Sequence, residues 1–312
     1  MRVFRGLEQL PDFKNVVLTI GTYDGVHYGH QFIINRINEI AKKINGESVL
    51  LTFYPHPRLI LHPNDNTLKL ITTIDEKIEI LEQLGLDNLV MIPFSPEFAS
   101  QSAEEYIEHV LIRNFHPKYI CVGYDHRFGK NRTGNYQLLE QLKSKYGYQL
   151  EEIPPQTVDE ISVSSTKVRK ALLEGDIATA NHFLAYPFRI KSKVIHGDKI
   201  GKILGFPTAN IEVSDEHKLI PASGVYAVWV KIDDERFKGA LSIGYRETVF
   251  DNSELTIEVF ILDFNKDIYG KSIELIFVDY IRPQIKYDNW DLLKVQIAKD
   301  VENINYTLNK NT

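Results

Sequence analysis

The chain has 312 residues and a net charge of −6, from 36 Lys and Arg against 42 Asp and Glu; this length suits two domains of about 100–200 residues each. The composition excludes a disordered chain, the acidic balance argues against nucleic-acid binding, and the single cysteine, Cys121, excludes an internal disulfide. No apolar run approaches the about 18 residues of a membrane span, and the N-terminus lacks a signal-peptide pattern. We therefore expect a cytoplasmic two-domain chain with no nucleic-acid or membrane partner; its oligomeric state stays open.

The first 186 residues alternate strand-like and helix-like patterns. The strand-like runs are short, continuous and rich in β-branched residues, which is typical of strands buried on both faces. They comprise residues 16–21, 48–53, 88–94, 119–123 and 148–153. Amphipathic stretches between them predict helices at 30–44, 74–84 and 103–115, the last begun by a Ser102–Glu105 capping pair. The alternation predicts a parallel sheet with helices on both faces, which binds ligands beyond the carboxyl ends of its strands.

After Tyr186 and Pro187 the runs become shorter and alternate apolar with polar residues. They comprise residues 189–196, 224–232, 236–243, 255–262 and 272–281. This pattern predicts an antiparallel sheet that closes into a small barrel, followed by a C-terminal helix that begins at Asn289. We therefore divide the chain into a first domain of residues 1–186 and a second of residues 187–312.

A loop rich in glycine and histidine follows the first predicted strand and opens the first helix. It reads Gly-Thr-Tyr-Asp-Gly-Val-His-Tyr-Gly-His and ends at His30. Glycines there let the backbone approach a ligand, and free N–H groups at a helix start suit a phosphate. His27 and His30, on either side of Gly29, are placed to stabilise charge on a phosphate under attack. With Gly21 and Asp24 they form a candidate phosphate site; the alternative is a tight turn with surface histidines, and the lack of a third ligand disfavours zinc.

A second anion site is predicted where a serine-rich cap precedes a basic helix, in the sequence Ser-Val-Ser-Ser-Thr-Lys-Val-Arg. Ser164 or Ser165 caps this helix, whose first turn then presents N–H groups, hydroxyls and cations to a phosphate. Thr166 and Arg169 complete this group of candidate ligands. The alternative is an ordinary helix start without a ligand.

The second half carries a glycine-spaced, lysine-bearing loop that ends in Pro-Thr-Ala-Asn. Thr208 and Asn210 offer a hydroxyl and an amide oxygen, hard ligands of the kind that Mg²⁺ accepts beside ATP phosphates. Glu258, inside a later apolar strand, faces either solvent or a pocket. The alternative for the loop is an ordinary hairpin. The residues that would form a flap over the phosphates are Gly197, Gly201, Lys202 and Gly205.

Together these motifs resemble the bacterial bifunctional riboflavin kinase/FAD synthetases, in the expected order over nearly the whole chain. The paired histidine and serine clusters are similar to those of nucleotidyltransferases, and the Pro-Thr-Ala-Asn block is similar to the ATP–Mg²⁺ site of riboflavin kinases. The resemblance implies a Rossmann-like nucleotidyltransferase domain, then a small antiparallel β-barrel kinase domain with a terminal helix. The implied reactions are riboflavin + ATP → FMN + ADP in the second domain and FMN + ATP → FAD + pyrophosphate in the first.

The resemblance also implies roles for single residues. Glu258 would accept the proton of the ribityl 5′-hydroxyl, beside Mg²⁺–ATP held by Thr208 and Asn210. His27 and His30, with Ser164 and Arg169, would stabilise the triphosphate as pyrophosphate leaves. The implied flavin contacts are Pro55, His56, Pro57, Asp125, Phe128, Arg132 and Arg246.

The chain departs from the family pattern beside these flavin motifs. His126 and Tyr23 stand where the family usually has Phe, and Glu247 follows Arg246 where proline is usual. The lost proline removes a fixed φ from that turn.

Two other functions compete with this interpretation. The first is a riboflavin kinase whose N-terminal domain is an inactive docking module. The second is a non-catalytic sensor of flavin or nucleotide, which would need neither the strand carboxylate nor the pair of Mg²⁺ ligands. Incubation with riboflavin and Mg²⁺–ATP separates the three, since they yield FMN and FAD, FMN alone, or neither.

Overall fold

A computed structural model describes residues 1–65, 67–197, 201, 205–246, 254–287 and 289–310. The chain forms two compact units, Met1–Ser165 and Thr166–Thr312. None of the helices in this described part of the chain has the length and apolar character that a membrane span needs.

The first unit contains a six-stranded sheet in the order β1-β4-β3-β2-β5-β6, in which every pair of neighbours is parallel. A separate two-stranded ribbon, β7 and β8, precedes the end of the unit. The strands are β1 Arg2–Arg5, β2 Val17–Ile20, β3 Ser48–Tyr54, β4 Asn88–Pro93, β5 Tyr119–Gly123, β6 Gln149–Ile153, β7 Thr157–Val158 and β8 Ile161–Ser162. The five predicted strands are confirmed as β2 to β6. The prediction missed β1, because this four-residue edge strand carries two arginines and no apolar run.

The helices of the first unit lie between these strands. They are α1 Tyr28–Lys43, α2 Pro57–Leu61, α3 Ile74–Gln83, α4 Pro96–Ala99, α5 Ala103–Glu105, α6 Arg113–Phe115 and α7 Tyr136–Tyr146, with a 3₁₀ turn at Lys130–Arg132. The predicted capping pair is confirmed, since Ser102 Oγ accepts a hydrogen bond from Glu105 N at 3.1 Å and Glu105 Oε2 accepts one from Ser102 N at 2.8 Å. The helix that it begins is interrupted by a π-helical stretch, Tyr106–Ile112, which periodicity did not predict.

The central strand β2 is buried along its whole length. Leu18 and Ile20 pack in one apolar cluster with Ile107 and Leu111 of the helical stretch 103–115, and α1 packs against β2, β3 and β5. Successive residues of a strand alternate between faces, so helices cover both faces of the sheet, as predicted. Since β3 lies on one side of β2 and β5 on the other, the loop after β2 lies at the switch point where such sheets bind ligands.

The second unit is built on a closed six-stranded antiparallel barrel in the order β10-β13-β12-β11-β14-β9. Its elements are α8 Ser165–Glu174, α9 Ile177–Leu184, β9 Arg189–Ile195, β10 Thr208–Glu212, β11 Gly224–Ile232, β12 Glu235–Arg246, β13 Glu254–Ile261, β14 Ser272–Arg282 and α10 Trp290–Lys310. The predicted barrel, its five predicted strands and the terminal helix are confirmed. The prediction missed β10, because it lies within a Gly- and Pro-rich block typical of a loop.

Helices α8 and α9 pack within the second unit. Leu172 O accepts a hydrogen bond from Ala222 N at 3.0 Å, and Asn181 bonds Phe277 O at 3.0 Å and Phe188 N at 2.7 Å. The compact units therefore divide 21 residues before the predicted domain boundary of 186/187. As a division between the two activities, that boundary stays a prediction.

A buried ion pair fastens α10 to the end of β14. Arg282 donates through Nε to Asp300 Oδ1 at 2.9 Å and through Nη2 to Asp300 Oδ2 at 2.6 Å. Gln296 Nε2 donates to the same carboxylate at 2.8 Å, and the Asp300 side chain is only 5% exposed. Removing one partner would leave the other charge buried without compensation, which is far costlier than losing an exposed pair.

We expect Asp300→Ala to lower the free energy of unfolding of the second unit by about 3–5 kcal/mol. Urea titration followed by tryptophan fluorescence measures this, because both tryptophans, Trp229 and Trp290, lie in that unit. Glu302→Gln, an exposed position on the same helix, is the control. A loss below about 1 kcal/mol, the size of a surface pair, would contradict the expectation.

Candidate functional site

Three of the predicted motifs meet at one edge of the parallel sheet. The loops that follow β2, β3 and β5 all leave the carboxyl ends of neighbouring strands. They carry the glycine–histidine loop, the Pro-His-Pro turn and the segment from Asp125 to Arg132. Open sheets of this kind bind ligands at this edge, so the topology brings the predicted phosphate and flavin residues of the first unit to one side.

The loop between β2 and α1 has an unusual backbone. Tyr23, Gly25 and Val26 all have positive φ, at 49°, 79° and 36°. A β-branched residue such as Val26 rarely adopts this left-handed region, and backbone strain of this kind concentrates at ligand sites. The turn directs the chain so that α1 begins with the two predicted histidines on its first turn.

His27 and His30 lie against each other with ring centroids 3.7 Å apart and planes 18° apart. The ring of Tyr23 stacks on His30 at 4.5 Å, and its hydroxyl is 2.9 Å from Thr19 Oγ1. Gly29 lies close to the ring of His27, since a Cβ at this position would be only 3.3 Å from that ring. The sequence spacing therefore gives two adjacent imidazoles at the start of a helix, where N–H groups favour an anion.

Burial keeps His30 neutral. Burial is the largest cause that lowers its pKa well below the ordinary value, and the nearby charges of His27 and Lys77 lower it further. Its Nδ1 is buried and has no hydrogen-bond partner among the described residues. Buried polar nitrogens usually find partners, so this ring is prepared to bond a ligand as a neutral hydrogen-bonding group.

The turn is held from several sides. Asp24 accepts hydrogen bonds on Oδ1 from Ile71 N at 3.0 Å and Thr72 N at 3.3 Å, and Ser165 Oγ donates to Asp24 O at 2.9 Å. Lys77 Nζ donates to the carbonyl of the preceding Thr22 at 2.7 Å. These bonds show that Asp24 positions the loop, and the ATP contact that the sequence predicts for it stays a prediction.

The second predicted anion site begins α8. Ser164 and Ser165 are half-buried and belong to the first unit, with Ser165 bonded to the phosphate loop as described. Thr166 is exposed and Arg169 half-buried on the next turns of α8, which belong to the second unit. The phosphate contacts of all four residues stay predictions.

The Pro-His-Pro turn follows β3. His56 caps α2, because its Nδ1 accepts a hydrogen bond from Arg58 N at 3.2 Å, and Pro57 is the first residue of that helix. The Tyr54–Pro55 peptide is cis. The cap made by His56 agrees with the turn that was the alternative to a flavin contact, and the two roles are compatible because the turn lies at the ligand edge.

A row of aromatic rings runs along this edge. Consecutive centroids are 5.4–5.9 Å apart, within the range of favourable ring contacts. The members are Phe53, Phe94, Phe98, Tyr106, Phe128 and His126. The first three are half-buried, so the row offers an apolar wall to a flat ligand.

The loop after β5 is closed by two backbone hydrogen bonds between Phe128 and Gly134. Phe128 N donates to Gly134 O at 3.2 Å and Gly134 N donates to Phe128 O at 2.9 Å. Between them Arg132 is exposed with φ of 58°, and Asp125 is exposed before them. Of these predicted flavin residues, only Phe128 is buried, at 7% exposed.

His126, the departure from the family pattern, keeps a ring where phenylalanine is usual. It stacks on Phe128 at 5.5 Å with planes 28° apart. Burial, aided by the charge of Arg132, lowers its pKa to about 4. At neutral pH the imidazole is therefore uncharged and preserves the aromatic row.

The predicted kinase residues meet on the barrel. Thr208 and Asn210 lie on β10, two residues apart and so on the same face, and Asn210 pairs directly with Glu258 of β13. Thr208 Oγ1 donates a hydrogen bond to Glu258 Oε2 at 2.9 Å. Glu258 is half-buried. The register places the carboxylate beside the proposed Mg²⁺ ligands, and its role in the reaction stays a prediction.

Two described glycines that precede β10 lie close to these side chains. A Cβ on Gly197 would lie 2.0 Å from Asn210 Nδ2, and one on Gly201 would lie 2.4 Å from Phe206 O and 3.0 Å from Thr208 Oγ1. Glycine is therefore required at both positions. The hydroxyl, the amide and the carboxylate are hard donors that suit Mg²⁺, so the residues present fit this ion.

Other predicted kinase residues are described only in part. Gly205 has φ of 88°, and Arg246 ends β12, where its backbone pairs with Glu254. Lys202 and the Glu247 departure lie outside the described residues. Within the described ranges no group of three or more His, Cys, Asp or Glu side chains could hold a metal.

Two family models match the chain, each over one of its parts. The FAD synthetase model matches residues 10–167 and the riboflavin kinase model matches residues 184–308. The chain belongs to both families. Among curated relatives, the bifunctional riboflavin kinase/FMN adenylyltransferases of Listeria monocytogenes and Haemophilus influenzae are each 36% identical, covering 92% and 97% of this chain and 90% and 97% of their own. That of Escherichia coli is 34% identical over 96% of both chains.

A solved structure shares the fold of this chain over most of its length. It is named macrolide-efflux protein from Streptococcus pneumoniae, with 31% identity, a TM-score of 0.88, and coverage of 97% of this chain and 98% of that one. The likeness supports the two-domain architecture that the sequence motifs implied.

Sequence reasoning missed Lys77, whose side chain contacts the loop between β2 and α1. The side chain is 7% exposed, and its neighbours on α3, Ile80 and Leu81, are buried. A lysine on the apolar stripe of a helix is a usable signal, because lysine is almost never buried without a partner. The partner, a carbonyl 55 residues away, is invisible in the sequence.

Proposed function

We propose that this chain converts riboflavin to FAD in two ATP-dependent steps at separate sites. The Thr208–Glu258 hydrogen bond beside Asn210 on the barrel supports the kinase step. The paired imidazoles at the switch point of the parallel sheet carry the adenylylation step. A docking domain would not need those imidazoles on a strained ligand loop, so the geometry favours two activities over a kinase alone.

In the kinase step, Glu258 accepts the proton of the ribityl 5′-hydroxyl as that oxygen attacks the γ-phosphate of ATP. Thr208 and Asn210 would hold Mg²⁺, which when bound neutralises charge on the ATP phosphates. Phosphoryl transfer depends chiefly on positioning and charge stabilisation. The hydrogen bond from Thr208 therefore matters because it orients the carboxylate.

In the adenylylation step, the phosphate of FMN attacks the α-phosphate of ATP and pyrophosphate leaves. His27 and His30 hydrogen-bond the triphosphate as negative charge builds on the leaving group. The aromatic row holds the isoalloxazine ring. No covalent enzyme intermediate is needed, since FMN supplies the nucleophile itself. The division of activities at residue 186/187 and a cytoplasmic location are part of this proposal.

The products formed from riboflavin test this function. The purified chain is incubated with riboflavin and Mg²⁺–ATP, and flavins are resolved by chromatography over time. We expect FMN to appear first and FAD to follow. FMN alone would support the kinase with a docking domain, and neither product would support a sensor.

Removing one proposed Mg²⁺ ligand should affect one reaction only. We expect Asn210→Ala to raise the Mg²⁺ concentration for half-maximal riboflavin phosphorylation by about tenfold, the effect of roughly 1.4 kcal/mol of lost binding. Adenylylation of supplied FMN by the same variant is the internal control and should keep its Mg²⁺ dependence. An unchanged requirement in the kinase reaction would exclude Asn210 as a ligand.

A further inference from the structure

Lys77 is a buried lysine on α3 that the proposed mechanism does not use. Its side chain lies on the face of α3 that packs inward, with Ile80 and Leu81, and is 7% exposed. Glu76 beside it is buried too, but its carboxylate accepts a hydrogen bond from Thr73 N in the capping box of the helix. Burying an ammonium group costs free energy unless the group is paired, so the contacts of the Lys77 ammonium group indicate what the lysine does.

The ammonium group binds the phosphate loop. Lys77 Nζ donates to Thr22 O at 2.7 Å, and Thr52 Oγ1 donates to the same carbonyl at 3.4 Å. Thr22 directly precedes Tyr23, where the backbone enters the left-handed region. The lysine therefore fixes the entrance of the turn that places the histidines.

The ammonium also faces the charged groups of the site. Asp24, 2% exposed, favours the charged form of Lys77 and opposes the lowering of the Lys77 pKa by burial. From α1 and its cap, His30 and His27 face the same region, with the phenol of Tyr23 stacked on His30. Burial keeps that phenol protonated by raising its pKa, so the phenol adds no charge beside the ammonium of Lys77.

We propose that Lys77 is a positioning residue for FMN adenylylation, which holds the Thr22 carbonyl and supplies a fixed positive charge behind the two histidines. The inference rests on the proposed function of that site. Because burial keeps His30 neutral, His30 acts as a hydrogen-bonding group and the ammonium of Lys77 provides the positive charge. Adenylylation then does not depend on the ionisation of His30 near neutral pH.

Lys77→Met removes the charge and the hydrogen bond while keeping an unbranched stem of similar length. We expect kcat/KM for adenylylation of FMN to fall about 100-fold, as for loss of one preorganised donor, and Lys77→Arg to recover at least about a tenth of the wild-type value, since it restores the charge. Lys42→Met, at an exposed position of α1, should match the wild type. Riboflavin phosphorylation by each variant should be unchanged, which shows that the second unit is folded, and recovery of adenylylation by Lys77→Arg shows that the first unit tolerates a substitution at this position.

The titration of His30 separates positioning by charge from simple packing. Ring C–H shifts of the histidines, followed by NMR and assigned with His30→Asn, should show that His30 stays neutral in the wild type. In Lys77→Met its pKa should rise, because one of the charges that lower it is gone, but should stay below the ordinary value, because burial is the largest cause of the lowering. Unchanged adenylylation, or an unchanged His30 titration in Lys77→Met, overturns the proposal. If the wild type forms FMN but no FAD, the proposed function fails, whereas the titration still reports whether Lys77 charges the site.

Discussion

Glu258→Gln is expected to lower kcat for riboflavin phosphorylation by about 10²–10⁴, the range for loss of a general base. The amide keeps the size of the carboxylate and still accepts the hydrogen bond that Thr208 Oγ1 donates at 2.9 Å. It cannot take up the hydroxyl proton. The deficit should therefore appear in kcat with little change in the KM for ATP, because the groups beside the nucleotide stay in place.

The control for this variant is Glu212→Gln, which changes an exposed carboxylate at the end of β10, the strand that carries Thr208 and Asn210. It should phosphorylate riboflavin at the wild-type rate. Adenylylation of supplied FMN by Glu258→Gln should also be normal, since that reaction uses the other unit. A wild-type kcat for FMN formation by Glu258→Gln would contradict the assignment of Glu258 as proton acceptor.

His30→Ala should reduce adenylylation of FMN by about 10²–10³, as when one preorganised donor to a developing charge is removed. The ring lies 3.7 Å from that of His27 and 4.5 Å from that of Tyr23, so its loss also loosens the strained turn. Steady-state release of pyrophosphate from ATP and supplied FMN measures the effect. Riboflavin phosphorylation should stay at the wild-type rate.

His109→Ala is the matched control for His30→Ala, because His109 is an exposed histidine on a helical stretch of the same unit. It should leave both reactions unchanged. Normal pyrophosphate release by His30→Ala would remove the histidine pair from the mechanism and would favour a different phosphate site in the first unit.

The motifs predicted the site where chemistry dictates residue type and spacing. His27 and His30 flank Gly29 at a predicted helix start, so their spacing places them together, whereas Thr208 and Asn210 were found from residue type and motif because β10 itself was not predicted. The contact between Thr208 and Glu258 was not predictable, because it depends on the register of two strands 50 residues apart. Register follows from the closure of the barrel.

The parts of the fold that escaped prediction share a cause. The edge strand β1 forms by pairing with β4 across the sheet, and β10 closes the barrel against β9 and β13. Neither has an apolar run of its own, so tertiary pairing rather than local preference decides their conformation. The burial of Lys77 has the same origin, since the carbonyl that binds it lies on a distant loop.

The central claim, two independent ATP-using sites in one chain that are linked by FMN, is tested most directly by mixing two defective variants. Glu258→Gln alone and His30→Ala alone should each form little or no FAD from riboflavin. Their equimolar mixture, with Mg²⁺–ATP, should form FAD after a lag in which free FMN accumulates, because each variant keeps the site that the other lacks. A mixture that forms FMN but no FAD, or a single variant that forms FAD from riboflavin at the wild-type rate, would contradict the claim.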